Sequence, residues 1–169
     1  MKNIKKLPLY AIMTALAMIF GYIEHIFPLQ IGVPGAKLGL ANIVVIVALY
    51  TMPARSAVAI NVVRMILISL LFGTSVSLMY SLAGGLFSFA AMAAAKRTGR
   101  LGVVGVSALG GTAHNAAQIV TAAFIAGGAH ILYYLPALLA AGVATGAVTG
   151  IAGGAVLRRL GNDAVYHRS

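Results

Sequence analysis

Eight side chains in this sequence are polar or charged yet lie within or beside long apolar runs: Glu24, Lys37, Asn42, Asn61, Arg64, His114, Asn115 and Gln118. An ionisable group inside a bilayer costs about 3 kcal/mol on insertion scales, so those kept there pair with one another, line water or serve a ligand. Asn61 stands three residues before Arg64 and shares its helical face. His114, Asn115 and Gln118 follow an i, i+1, i+4 spacing, which puts His114 and Gln118 on one side of a helix with Asn115 adjacent. Lys37 and Arg64 outnumber Glu24, and that local excess of positive charge suits an anionic or zwitterionic ligand. A purely structural reading stands beside this one. In it Glu24 and Arg64 form an ion pair while the amides and His114 knit helices together, each contact worth on the order of 1 kcal/mol.

For catalysis the same inventory is poor. Glu24 and Asp163 are the two acidic residues of the whole chain. Magnesium diphosphate chemistry needs clustered carboxylate oxygens, and a two-carboxylate mechanism needs both acids at one bond. His114 has no serine, cysteine or aspartate arranged as its partner. No glycine-rich phosphate loop with a following lysine occurs. His25, His114, His130 and His167 share no metal-ligand spacing, and cysteine is absent. The expectation is a binding protein, not an enzyme, with no metal and no cofactor.

These residues have to be positioned by membrane helices. The 169 residues are 61% hydrophobic and 8% charged, with a mean hydropathy of +0.99, which is too apolar for a soluble domain. A net charge of +10 would point to nucleic acid in a soluble protein. Here the basic residues sit at the ends of apolar runs, so no nucleic-acid partner is expected and membrane lipid is. Reading the runs between Pro, Gly and charge clusters predicts an all-α membrane protein, a single six-span bundle over 1–169 with spans near 7–27, 38–52, 56–72, 76–95, 102–127 and 130–157. An even number of spans puts both termini on one side. Placing them in the cytoplasm puts Lys2, Lys5, Lys6, Arg55, Lys96, Arg97, Arg100, Arg158, Arg159 and Arg168 inside, with Lys37 outside and Arg64 within a span. The expected location is therefore the cell membrane, multi-pass. Tyr22, Tyr80, Tyr133 and Tyr134 then fall near the outer interface. A signal peptide cleaved after Ala15-Leu16-Ala17 is the alternative for the first run, but the apolar stretch continues to Phe27 and reads better as a retained span.

Three stretches carry further expectations. The second run, Leu38 to Met52, gives about 22 Å of helix against a hydrocarbon core of about 30 Å. The segment 28–37 before it contains two prolines and two glycines, so it is expected to fold back as an outer lid, or else to form a plain solvent loop. Gly142, Gly146, Gly150 and Gly154 recur every four residues and lay a groove for close helix packing. Ala11 and Ala15 form a small-residue pair in the first span, available either for internal packing or for docking another membrane subunit.

The run Pro34-Gly35-Ala36-Lys37-Leu38-Gly39-Leu40-Ala41-Asn42, then Asn61 and Arg64, then Gly110-Gly111-Thr112-Ala113-His114-Asn115-Ala116-Ala117-Gln118, resembles the bacterial membrane family called heptaprenyl diphosphate synthase component I, or Gx transporter. That family in turn looks like the substrate-binding S components of energy-coupling factor (ECF) importers, six-helix proteins of the bacterial inner membrane. The resemblance implies an S-component-like bundle that captures a vitamin, cofactor precursor or isoprenoid-like molecule. It implies ECF scaffold and ATPase partners, docked through Ala11 and Ala15. It also implies that Lys37, Asn42, Arg64, His114, Asn115 and Gln118 contact the ligand beneath a 28–37 lid. The synthase name implies an alternative: a non-catalytic component I that recruits a prenyl synthase subunit through the basic loop at 96–100 and the C-terminal tail. A structural subunit of a membrane redox assembly is a third reading, for which the sequence offers no cofactor ligand set.

Overall fold

A computed structural model describes residues 7–26 and 39–161. Six α-helices follow in order: α1 (Leu7–Ile26), α2 (Leu40–Thr51), α3 (Ala54–Phe72), α4 (Ser75–Thr98), α5 (Val103–Ala126) and α6 (Leu135–Arg159). The six sequence segments match these helices closely. The expected last span, 130–157, is found as His130–Arg159, whose opening turns belong to a short 3₁₀ helix, Ala129–Tyr134, before α6 starts at Leu135 with a proline in its first turn. Pro136 lacks an N–H and has a fixed φ, so it begins a helix well and continues one badly.

Four stretches are long and apolar enough to cross a membrane: Leu7–Ile26, Ala54–Phe72, Ser75–Thr98 and His130–Arg159. This identifies a multi-pass, all-α membrane protein among the described residues. The remaining two helices fall short for different reasons. α2 has only 12 residues. α5 has the length, but Thr112, His114, Asn115 and Gln118 dilute its hydropathy.

Short connections make the helices from α2 to α5 successively antiparallel, and contacts fix which ends of the bundle meet. At one end the rings of Tyr22 on α1 and Phe72 on α3 stand 4.5 Å apart, and Gly39 precedes α2. At the other end the Ser56 hydroxyl donates to Tyr10 Oη over 3.0 Å, and Lys96 Nζ donates to the Leu49 carbonyl over 2.6 Å. The same ammonium lies 4.7 Å over the Tyr50 ring, a cation–π contact. Lys96 thus takes up a carbonyl that the last turn of α2 leaves without an intrahelical partner. Apart from Arg64, every described Lys and Arg belongs to this Lys96 end of the bundle.

The closest packing joins α5 to α6. A Cβ added at Gly142 would stand 2.7 Å from the Gly111 carbonyl oxygen, at Gly146 2.6 Å from the Ser107 carbonyl oxygen, and at Gly150 2.8 Å from the Val104 Cα. The four-residue glycine repeat therefore works inside the chain, as a groove into which the α5 backbone is pressed. Gly110 plays the matching part on α5 by admitting Met92 of α4. Toward the Lys96 end an apolar cluster including Ile46, Leu49, Met52, Phe89, Val106 and Leu157 fills the bundle. Polar side chains collect in the opposite half.

Candidate functional site

The polar residues converge. Glu24 from α1, Asn42 from α2, Arg64 from α3, and His114, Asn115 and Gln118 from α5 all line one cavity of about 110 Å³. Lys37 and the expected 28–37 lid lie outside the described residues. Asn61 does not line the cavity. It is fully buried behind Arg64, donating its amide to the Gly85 carbonyl over 3.1 Å while its own carbonyl accepts from Arg64 Nε over 3.0 Å. Asn61 is therefore a positioning residue, and its three-residue spacing from Arg64 is what makes the contact.

Arg64 is 8% exposed, a depth at which a guanidinium needs partners on every side. Besides Asn61, it donates through Nη2 to Asn42 Oδ1 over 3.1 Å. These two bonds use only part of the planar donor fork, whose remaining N–H groups have no partner among the described residues. No direct Glu24–Arg64 ion pair occurs among the described residues, so the structural reading is corrected on this point. Glu24 instead accepts a hydrogen bond from the Gly39 N–H through Oε1. That places a carboxylate at the start of α2, where the helix dipole and an unpaired N–H both favour negative charge. Gly39 itself has φ 75°, a left-handed conformation that glycine adopts without a Cβ penalty.

On α5, Asn115 is buried and donates to the Leu138 carbonyl over 2.8 Å. This bond ties α5 to the first turn of α6, so Asn115 holds the wall as well as lining the cavity. His114 and Gln118 approach α4 where it carries Gly84. A Cβ on Gly84 would stand 2.8 Å from His114 Cε1 and 3.0 Å from Gln118 Cγ. Glycine at 84 gives both side chains their room.

Hydroxyl groups complete the lining, and these were missed in the reading of the sequence. Ser77, Ser81 and Ser88 of α4, Ser107 of α5, and Thr145 and Thr149 of α6 all border the cavity. Their signal was present: 77, 81 and 88 are spaced by four and seven residues, and 145 and 149 by four, so each set lies on one helix face. Ser107 and Thr149 share a hydrogen bond of 3.0 Å. Ser88 is 2% exposed, and its hydroxyl has no hydrogen-bond partner in the described structure. A buried hydroxyl on a cavity wall is a group that the contents of the cavity can satisfy. The chamber thus offers a cationic fork, one carboxylate, three carboxamides, an imidazole and several hydroxyls to whatever fills it.

Comparison with known proteins adds one decisive observation. The sequence profile of heptaprenyl diphosphate synthase component I matches residues 13–156. The chain belongs to that family. The match runs from the first turns of α1 almost to the end of α6, so every cavity residue named above falls within it. No curated protein and no solved structure matches the chain. The family is thus established, four helical stretches among the described residues are long and apolar enough to cross a membrane, and the role of the cavity is argued from its chemistry.

Proposed function

We propose that this component I chain is a non-catalytic membrane subunit that holds a small ligand in the Arg64 cavity and works beside a prenyl synthase subunit. The observation that carries the ligand part is the convergence of Glu24, Asn42, Arg64, His114 and Gln118, from four different helices, on one chamber. Helix cohesion alone is served by residues such as Asn61, Asn115 and Lys96, whose bonds close on neighbouring backbone. Arg64 keeps donors beyond that need. The two acids of the chain remain too few for magnesium diphosphate chemistry, which supports the non-catalytic role. The family name supports the synthase partner. Arg97 and Arg100 are exposed at the end of α4 and form the basic surface offered to it.

A second reading, an importer subunit of ECF type with a scaffold and ATPases, is favoured by one feature. Ala11 and Ala15 are exposed on α1, while Ala17 is its buried residue. The small-residue pair is therefore free of internal packing and available to another membrane helix. In this reading both termini are cytoplasmic and the cavity opens outward, in keeping with the basic residues at the Lys96 end.

The deciding experiment is native mass spectrometry of the chain purified gently from its own host, as wild type, as Arg64→Ala and as Arg97→Gln/Arg100→Gln. The component I reading expects a prenyl synthase subunit that is lost with the double substitution, and a bound small molecule that is lost with Arg64→Ala. Copurified ATPases, lost on Ala11→Leu, with no synthase subunit would replace it with the importer. An unchanged bound mass in Arg64→Ala would remove the ligand role from this cavity.

A further inference from the structure

A second, larger cavity of about 640 Å³ adjoins the first. Its walls come from α4, α5, the 3₁₀ helix and α6, and they are apolar at Val76, Ile119, Ala122, Ile131 and Leu138, with the Tyr80 and Tyr134 rings completing them. It meets the polar chamber at Ser77, Ser81, Asn115 and Gln118, residues that border both. A small polar chamber thus lies beside an apolar one, with four residues bordering both, and the apolar one falls in the size range of ligand pockets, about 300–1,000 Å³.

We propose that the ligand is a single-chain amphiphile: an anionic head, phosphate or carboxylate, held by Arg64 in the polar chamber, with a hydrocarbon chain lying in the apolar cavity. This rests on the ligand-binding reading above and deepens it. The head carries an anionic group, with the Glu24 carboxylate in the same chamber, because the N–H donors that Arg64 has left over from Asn42 and Asn61 belong to a planar fork that matches a phosphate or carboxylate. Asn42 and Asn61 hold that fork in place from behind. The buried Ser88 hydroxyl, lining the same chamber without a partner, supplies another polar group for a head to satisfy. A wholly polar ligand would leave the apolar cavity open to lipid or water, and a wholly apolar one would strip Arg64 and Ser88 of water without replacing it. Only a molecule with both parts satisfies both chambers. The four shared residues are the joint between head and chain. Val76, 46% exposed, marks where the apolar cavity reaches the bundle surface, so a chain can extend past it toward the bilayer.

The test uses the full chain in phosphatidylcholine nanodiscs and the straight-chain probes butyl, octyl and dodecyl monophosphate, with binding read by native mass spectrometry. Each methylene buried strengthens binding about fourfold, so octyl phosphate should bind on the order of a hundredfold more tightly than butyl phosphate. Ala122→Trp, which fills the apolar cavity, should keep butyl phosphate binding and lose most of that gain. Val76→Gln, at the exposed rim, should reduce it with less risk to folding. Arg64→Ala should lose all three probes. The proposal is overturned if octyl phosphate gains nothing over butyl, if the gain survives both cavity variants, or if it survives Arg64→Ala, which is what simple partition into the bilayer would give. Butyl phosphate binding that depends on Arg64 but shows no gain with chain length would overturn the amphiphile alone. Binding of no probe would overturn both this inference and the ligand reading beneath it.

Discussion

Replacing Gly146 by alanine tests the packing on which the cavity depends. The new Cβ would lie 2.6 Å from the Ser107 carbonyl oxygen and 2.7 Å from the Ala108 Cα, both backbone atoms that no rotamer change can move. Ordinary contact between such atoms is about 3.5 Å, so α5 and α6 must part by roughly 1 Å. That displacement stretches the Ser107–Thr149 bond of 3.0 Å and the Asn115–Leu138 bond of 2.8 Å past useful range. Overpacking costs about 1–3 kcal/mol, and each lost bond within a membrane protein costs on the order of 0.6 kcal/mol. Against this, alanine improves helix propensity over glycine by about 1 kcal/mol. The net loss is about 2 kcal/mol, or a melting temperature lower by roughly 4–8 °C for a chain of this size. Gly105→Ala on the facing helix is the internal control. There the nearest atoms belong to the Leu101 side chain at 3.4 Å, so only the propensity gain remains and the melting temperature should rise by roughly 2–4 °C. With no tryptophan in the chain, far-UV circular dichroism during a thermal ramp in detergent is the suitable assay. Equal melting temperatures for the two variants, or a higher one for Gly146→Ala, would refute the claim that these backbones touch.

Other substitutions probe the remaining joints. Gly39→Ala should destabilise the chain by about 1–2 kcal/mol in the same melt, because φ 75° disfavours a Cβ, and it should weaken the probe binding that depends on Asn42. Lys96→Met keeps the aliphatic stem but removes the bond to the Leu49 carbonyl and the contact over Tyr50, so a loss of about 1–2 kcal/mol is expected, with binding at the distant cavity unchanged. Asn61→Ala should resemble Arg64→Ala in ligand binding although Asn61 does not line the cavity; normal binding would show that Arg64 needs no support from behind.

Much of this architecture was legible in the order of residues. Lipid imposes a length and a hydropathy on each span, so the six segments and their approximate ends follow from where Pro, Gly and charge interrupt apolar runs. The intramembrane polar residues were legible too, because cost makes them rare and therefore conspicuous. Small hydroxyl residues carry little such cost, and for that reason Ser77, Ser81, Ser88, Thr145 and Thr149 escaped notice although their spacing was regular. What periodicity could not say was which neighbour each side chain meets. Asn61 and Arg64 share a face in sequence, but only the approach of α4 at Gly85 turned Asn61 into a bracket and left Arg64 to the cavity. Opposite charges made a Glu24–Arg64 ion pair plausible, yet the open N–H at Gly39 took the carboxylate instead. The glycine repeat of α6 was visible at once, while its partner was decided by how closely two backbones could come together. Sequence determined which residues must be buried in this bilayer protein, since solvation acts on each residue by itself. Tertiary structure decided what they are buried against, since hydrogen bonds and close contacts exist only between groups that the fold brings within a few ångströms.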